Sequence, residues 1–298
     1  MDAGTLNIRA CHDGGRLTGI AVELRRPAVS RLFVGQKPAA VLRTVPHLYS
    51  LCARAQQAAA GVAMAAATGQ EAPPAAAADL WLEFLHESLW RLLLDWPVAL
   101  GLAPEQAAFV AWRAARQQPG RVAATRALVD GPLATLAEKC LSRLVDRDSA
   151  DYAGLPTLTP AAWLPHWREG LGAPPSCPRP ASVAAAYRDR LAGVRAAVAA
   201  LSAAAPCPVS GAGGAGWGVG QALTARGVLT HALRIEEGRV SKYFVWAPTD
   251  RHFADGSGLA ALLAGVPAED AKSARRVLEQ AVLALDPCLP YVVDIADA

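Results

Sequence analysis

The sequence predicts a mainly helical α+β protein, a helical bundle accompanied by a small N-terminal strand and one β-hairpin. Three observations carry that expectation. Hydrophobic residues fill 53% of the 298 positions, and much of that share is alanine, the strongest helix former. From residue 37 to about residue 205 segment after segment repeats its apolar residues at helical spacing. Strand-like patterns stand near Leu17 and around a Glu-Gly turn late in the chain. The length suits one large domain or two small ones, with a substantial apolar core.

The elements follow in order. RLTGIAVELRRP mixes β-branched and charged residues in near alternation, so residues 17–24 form a strand that Pro27 stops. KPAAVLRTV places a proline in a first helical turn, and Pro46 is expected to break that helix ahead of HLYSLC. From Cys52 onward ARAQQAAAGVAMAAAT is a strong helix former. TGQEAPPAAAAD reads as a linker into DLWLEFLHESLWRLLLDW, a helix capped by Asp79 and ended before Pro97. Its residues Leu80, Phe84, Leu85, Leu89, Leu92 and Leu93 recur at helical spacing and should be buried. PEQAAFVAWRAARQQ, RVAATRALVDGPLATLAEKCLSRLVD with its Gly-Pro interruption, PAAWLPHWREGL and SVAAAYRDRLAGVRAAVAALSAAA extend the helical series. CPVSGAGGAGWGVGQAL reads as a glycine-rich loop, and THALRIEEGRVSKYFVWAP as two strands around the Glu-Gly turn. PAEDAKSARRVLEQAVLAL is a last helix with a proline at its start and acidic residues in its first turn, and it runs directly into Asp286-Pro287-Cys288.

Composition excludes several function classes. With 29 basic and 26 acidic residues the formal charge is +3, and no basic stripe with interleaved aromatics occurs, so nucleic acid is not the expected partner. No run of about 18 apolar residues suggests a membrane span, and the first residues have no leader pattern, so a soluble cytoplasmic protein is expected. Cysteines 11, 52, 140, 177, 207 and 288 are widely spaced and form no CxxC pair, which argues against secreted disulfides and a structural zinc module.

Few motifs rise above the background. GAGGAG, with Gly211, Gly213 and Gly216, has the dinucleotide-cradle spelling, but an alanine-rich helix ended by Pro206 and Pro208 precedes it, so it reads as a connector. No nucleophile elbow and no paired zinc histidines occur, and His86 reads as a packed, hydrogen-bonded residue. Cys140, Cys177 and Cys207 carry no assignment. Cys52 opens a helix, where orphan amides and the helix dipole favour a thiolate, and Cys288 sits at an element junction between Pro287 and Pro290. Each on its own reads as a structural cysteine rather than a metal ligand.

Several segments, in the same order, resemble the large subunit of [NiFe] hydrogenases, and more closely its shortened homologue in hydrogenase maturation, the HupK/HoxV type of expression and formation protein. HLYSLC is similar to the family's R-x-C-G-x-C motif, with Tyr49 at the first cysteine and Cys52 at the second. DPCLPYVVD is similar to D-P-C-x-x-C-x-x-H, with Cys288 at the first cysteine, Tyr291 at the second and Asp294 at the histidine. ARGVLTHALRIEEGRVSKYFVWAPTDRHF looks like the family's P-R-G segment, hairpin and V-P-S/T turn. LWRLLLDWP resembles a stretch typical of the maturation homologues.

The resemblance implies one hydrogenase-like domain over residues 1–298 and a site for an iron dicyano-carbonyl group, Fe(CN)2(CO). Cys52 and Cys288 would be the metal ligands. Arg226 and Thr249 would donate to cyanide, and Ala247 with Pro248 would wall the carbonyl. Cys288 matches a position that in the enzymes binds nickel alone, so the iron is either displaced or not held by Cys288 in the same way. Two cysteines cannot build the four-thiolate nickel site. Thr18 would stand at the enzymes' proton-relay glutamate and Gln56 at a histidine, and no cleavable extension is expected after Asp294. The implied role is therefore not enzymatic: a scaffold or chaperone that takes transient iron, and no nickel, from an iron-cyanide delivery complex and passes it to a hydrogenase large-subunit precursor. The alternative is a mimic of that subunit that binds maturation factors without holding iron.

Overall fold

A computed structural model describes residues 4–144, 154–170, 175 and 179–297; Cys177 lies outside them. Among the described residues the fold consists of two small sheets joined by helices. The chain begins with β1 (Thr5–Asp13) and β2 (Arg16–Arg25), an antiparallel pair whose first strand buries Leu6, Ile8 and Ala10 with the two-residue period of a half-buried strand. The sequence reading found only the second of these strands. After a short 3-10 turn come α1 (Pro38–Leu48) and α2 (Ala53–Thr68).

Pro46 does not break α1. The ring removes one N–H and frees the Leu42 carbonyl, to which the Gln57 side chain donates at 3.4 Å. The next helix, α3 (Ala77–Trp90), starts two residues ahead of Asp79 and passes through a π-helical turn, Arg91–Asp95, into α4 (Trp96–Ala99). Pro97 therefore sits inside a continuous helical segment, and the carbonyl of Leu93, four residues before it, accepts from the Glu105 amide at 2.9 Å. The six apolar residues expected on this helix are all buried.

The bundle continues through α5 (Gln106–Ala115), α6 (Arg121–Leu128), α7 (Ala134–Leu141), α8 (Pro160–Glu169) and α9 (Val183–Ser202). A second π turn, Val129–Leu133, absorbs Gly131 and Pro132 between α6 and α7. The Ser182 hydroxyl accepts from the Ala185 amide and starts α9. One apolar cluster runs through α3, α5 to α7 and α9.

The stretch expected to be a glycine-rich loop is instead a hairpin, β3 (Val209–Gly214) and β4 (Trp217–Thr224). It is continued by β5 (Gly227–Glu236) and β6 (Arg239–Trp246) into a four-stranded antiparallel sheet. The glycines are strand residues under a helix. A Cβ at Gly218 or Gly220 would run into the carbonyl oxygens of Ala63 and Ala59 on α2, so side-chain-free strands and an alanine helix close directly on each other. The chain then folds through α10 (Pro248–His252), α11 (Ser257–Leu263) and α12 (Ala271–Leu285). Asp270, not the proline, starts α12: its carboxylate accepts from the Ser273 amide while the Ser273 hydroxyl receives the Asp270 amide. The last strand, β7 (Tyr291–Asp297), lies parallel to β1, pairing Leu6 with Tyr291 while Thr5 pairs with Arg25. That register delivers the loop after α12 to the same sheet end as Arg26. Among the described residues no helix is long and apolar enough to cross a membrane.

Candidate metal centre

Five junctions between elements and one face of α3 converge on one cavity of about 1250 Å³. The α1–α2 junction brings Tyr49 and Cys52, α3 brings Glu83, His86 and Glu87, and the end of β2 brings Arg26. Arg226 comes from the two-residue turn between β4 and β5, where the Thr224 hydroxyl accepts the Arg226 amide at 3.2 Å and donates to the Gly227 carbonyl at 2.8 Å. Ala247, Pro248 and Thr249 follow β6, and Cys288 and Tyr291 follow α12. All six residues that the resemblance implied for the site thus line the same cavity.

Cys288 is enclosed by donors. Arg26 Nη2 donates to its Sγ at 3.0 Å, the Thr249 hydroxyl lies 3.2 Å from the same sulfur, and that hydroxyl accepts the Cys288 amide at 3.1 Å. Arg26 is steadied by Asp250 at 3.4 Å, and its Nε is buried without a partner. Sequence reasoning missed Arg26. Its only local signal is Pro27 behind it, and its relation to Cys288 arises from strand pairing across the whole chain.

Cys52 contradicts the expectation of an easy thiolate. The two amides that could have stabilised it at the start of α2 are taken by Glu83, whose carboxylate accepts from Arg54 and Ala55 at 2.8 and 2.9 Å. Burial pushes the Cys52 thiol up to about 12, against the lowering effect of a Gln56 hydrogen bond and with a further push from Glu83. Glu83 is itself raised by burial. A soft cation that replaced the thiol proton would remove that obstacle.

The Arg226 side chain is 5% exposed and belongs to a charge cluster. Its Nη2 donates to Glu87 at 3.0 Å, and its Nε, 3.4 Å from Asp286, makes no hydrogen bond there. Burial disfavours the guanidinium charge, but Asp286 and Glu87 outweigh it and raise its pKa. Asp286, at the left-handed C-cap of α12, accepts from Arg91 at 2.7 Å and Arg190 at 2.8 Å. Burial alone would raise its carboxyl, yet the three guanidiniums hold it well below the usual range. His86 Nδ1 donates to Glu87 Oε1, 3.2 Å away, and the ring packs among Trp90, Phe109 and Trp112. Its Nε2 is buried without a partner, so the expected packed histidine is hydrogen-bonded on one side only.

Thr18 does not belong to the cavity. It is exposed on β2, where its hydroxyl points to the Cys11 carbonyl at 3.5 Å, so it does not occupy a relay position. Gln56 does reach the site, with Nε2 3.4 Å from Cys52 Sγ. Among the described residues no group of three or more His, Cys, Asp or Glu is arranged to hold a metal.

No protein-family model matches the chain. Hydrogenase expression/formation protein HupV of Azotobacter chroococcum mcd 1 is 33% identical over 99% of this chain and 100% of the relative. Hydrogenase expression/formation protein HupK of Azotobacter vinelandii is 32% identical, with the same 99% and 100% coverage. Among solved structures the chain is similar to the oxidized Ni-Fe-Se hydrogenase from D. vulgaris Hildenborough, with a TM-score of 0.65 at 12% identity, covering 92% of this chain and 94% of that one. At that identity the likeness establishes the fold.

Proposed function

The chain belongs to the HupV/HupK family of hydrogenase expression/formation proteins, and from that premise we propose that its cavity is a transit site for an iron dicyano-carbonyl group bound for a hydrogenase precursor. Its relatives' names assign the family to hydrogenase maturation; the cargo is our reading. The observation that carries it is the meeting of Cys52 and Cys288 in one cavity with Arg226 and Thr249, from four separate stretches of chain.

The residues fit such a cargo. Low-spin iron favours soft thiolates, and a group arriving with two cyanides and a carbonyl needs few protein ligands, which matches a cavity lined by two cysteines, with no metal-holding group of three or more His, Cys, Asp or Glu among the described residues. Cyanide nitrogen accepts strong hydrogen bonds from guanidinium, and Arg226 Nε, 3.4 Å from Asp286, and Arg26 Nε are buried donors that make no hydrogen bond among the described residues. Ala247 and Pro248 offer an apolar wall to a carbonyl. Nickel, with its four thiolates, would find tyrosine at two of those places, Tyr49 and Tyr291. The cargo would come from an iron-cyanide delivery complex and leave for the large-subunit precursor, so that the protein acts as scaffold or chaperone rather than catalyst.

Two observations favour a second reading, a subunit mimic that binds maturation factors without iron: the Arg226 Nη2 is already engaged by Glu87, and burial raises the Cys52 thiol. Infrared spectra separate the two. Protein purified anaerobically after co-expression with the maturation machinery should show cyanide and carbonyl bands with about one iron per chain, and Cys52→Ala or Cys288→Ala should lose both. A band-free, iron-free wild type, with maturation intact in Cys52→Ala, would overturn the iron reading in favour of the mimic.

A further inference from the structure

Behind Cys52 lies a buried polar chain that the cargo reading does not use. Gln56 is 4% exposed and His231 and Thr230 are fully buried on β5, beside Tyr243 on β6. Tyr243 Oη lies 2.7 Å from His231 Nδ1, His231 Nε2 lies 2.7 Å from Gln56 Oε1, and Gln56 Nε2 lies 3.4 Å from Cys52 Sγ. Three side chains from three elements thus connect the sheet interior to one sulfur.

Hydrogen-bond inventory fixes the polarity of this chain. Tyr243 is 4% exposed, and among the described residues its hydroxyl makes no other hydrogen bond, so its proton must go to His231 or be buried unpaired. His231 Nδ1 is then the acceptor and Nε2 carries the single ring proton. Burial supports this, since it pushes the imidazole down to about 3 and keeps it neutral. The Nε2–H donates to Gln56 Oε1, which leaves only the amide N–H groups to face Cys52. The phenol at the far end decides that Cys52 meets a donor and not an acceptor.

We propose that His231 and Tyr243 are positioning residues for the cargo site: they lock the Gln56 amide so that its N–H supports Cys52 Sγ as an anionic ligand. The inference rests on the cargo reading above. An N–H donor suits a metal-bound thiolate and would be wasted on a thiol, whose own proton seeks an acceptor. It also draws electron density from the sulfur, so less reaches the iron. Outer partners of this type set ligand orientation and affinity although they never touch the metal.

The test uses the full chain co-expressed with the maturation machinery, with iron content, infrared spectrum and melting temperature read together. Gln56→Glu keeps an oxygen for His231 and replaces the donor at Sγ by a second oxygen. His231→Phe touches neither sulfur nor iron but releases the amide. Both should lose retained iron on the order of 10-fold, and any remaining carbonyl band should move to lower wavenumber. Tyr243→Phe, the mildest change, should shift the band in the same direction by less. Iron and bands identical to wild type in the folded variants would overturn the inference while leaving the cargo reading intact. A wild type without bands would sink the cargo reading first.

Discussion

Asp286 is the residue on which the charge balance of the cavity rests. It is 2% exposed and faces Arg91, Arg190 and Arg226, so its carboxylate compensates guanidiniums that have little water to turn to. Removing one member of a buried ionic cluster costs more than the cluster contributes, because the partners are left charged and dry. Asp286→Asn, which keeps shape and removes charge, is expected to lower unfolding stability by about 3–5 kcal/mol, read as a drop in denaturant midpoint at unchanged slope. At this scale the sequence was partly legible. Cys52, Cys288, Arg226, Thr249, Ala247 and Pro248 could be named because each stands in a short motif in a set order. Arg26 and Glu87 could not, since each meets its partner only through long-range packing, and Asp286 read merely as half of an Asp-Pro helix stop. The thiolate expected at Cys52 failed for a related reason: the helix start was visible in the sequence, but the Glu83 carboxylate that caps it, 31 residues on, was not.

Elements were legible wherever one local rule governed them, as along α2, α9, α12 and the β5–β6 hairpin. They were misread where a neighbour overruled the rule. Pro46 and Pro97 stop helices in isolation, but here the carbonyls they free find Gln57 and Glu105. The glycine-rich stretch suggests a loop because glycine gains most from disorder, yet at Gly211, Gly213, Gly218 and Gly220 the backbone of α2 approaches so closely that only glycine fits between. Gly220→Ala therefore tests whether the contact is sterically closed. Its Cβ would meet the backbone of Ala59 and Ala63, neither of which can rotate away, and a loss of about 1–3 kcal/mol is expected. Gly214→Ala, on the same hairpin with no atom within 4 Å of the added carbon, should leave thermal stability unchanged. Equal effects at the two positions would mean that strand propensity, and not contact with α2, explains the glycines.

At the scale of the whole molecule, the ligand role implied for Cys52 and Cys288 requires both ends of the chain at one cavity, and both do line it, by a device absent from the sequence reading, the parallel pairing of β7 with β1. Because the cavity draws on both ends of the chain and the sheet between, the buried titratable groups in and behind its wall should register in global stability. His231 sets the first pH window. Its pKa falls from 6.5 to about 3 on burial, so between those values the unfolded chain binds a proton that the native state refuses. Stability must then decline as pH drops below about 6.5, by roughly 1.4 kcal/mol per pH unit for one such proton. Asp286 and Glu87, both depressed, add a second loss of the same sign: their contribution is present above the ordinary carboxylate range and disappears as pH falls through their lowered values. Glu83 and Asp250, raised by burial, run the other way, since acid relieves the cost of keeping them charged. His252 is also lowered, so bulk acid sensitivity alone cannot identify His231. The informative quantity is a difference. Denaturant unfolding at pH 7.5, 6.0 and 5.0 should show a falling wild-type stability, and His231→Phe should flatten that fall by about one proton, roughly 1.4 kcal/mol per unit, because every other titrating group is common to both proteins. Parallel pH curves for the two would mean that position 231 binds its proton equally in both states, and the neutral imidazole that gives the Tyr243–His231–Gln56 chain its direction would have to be abandoned.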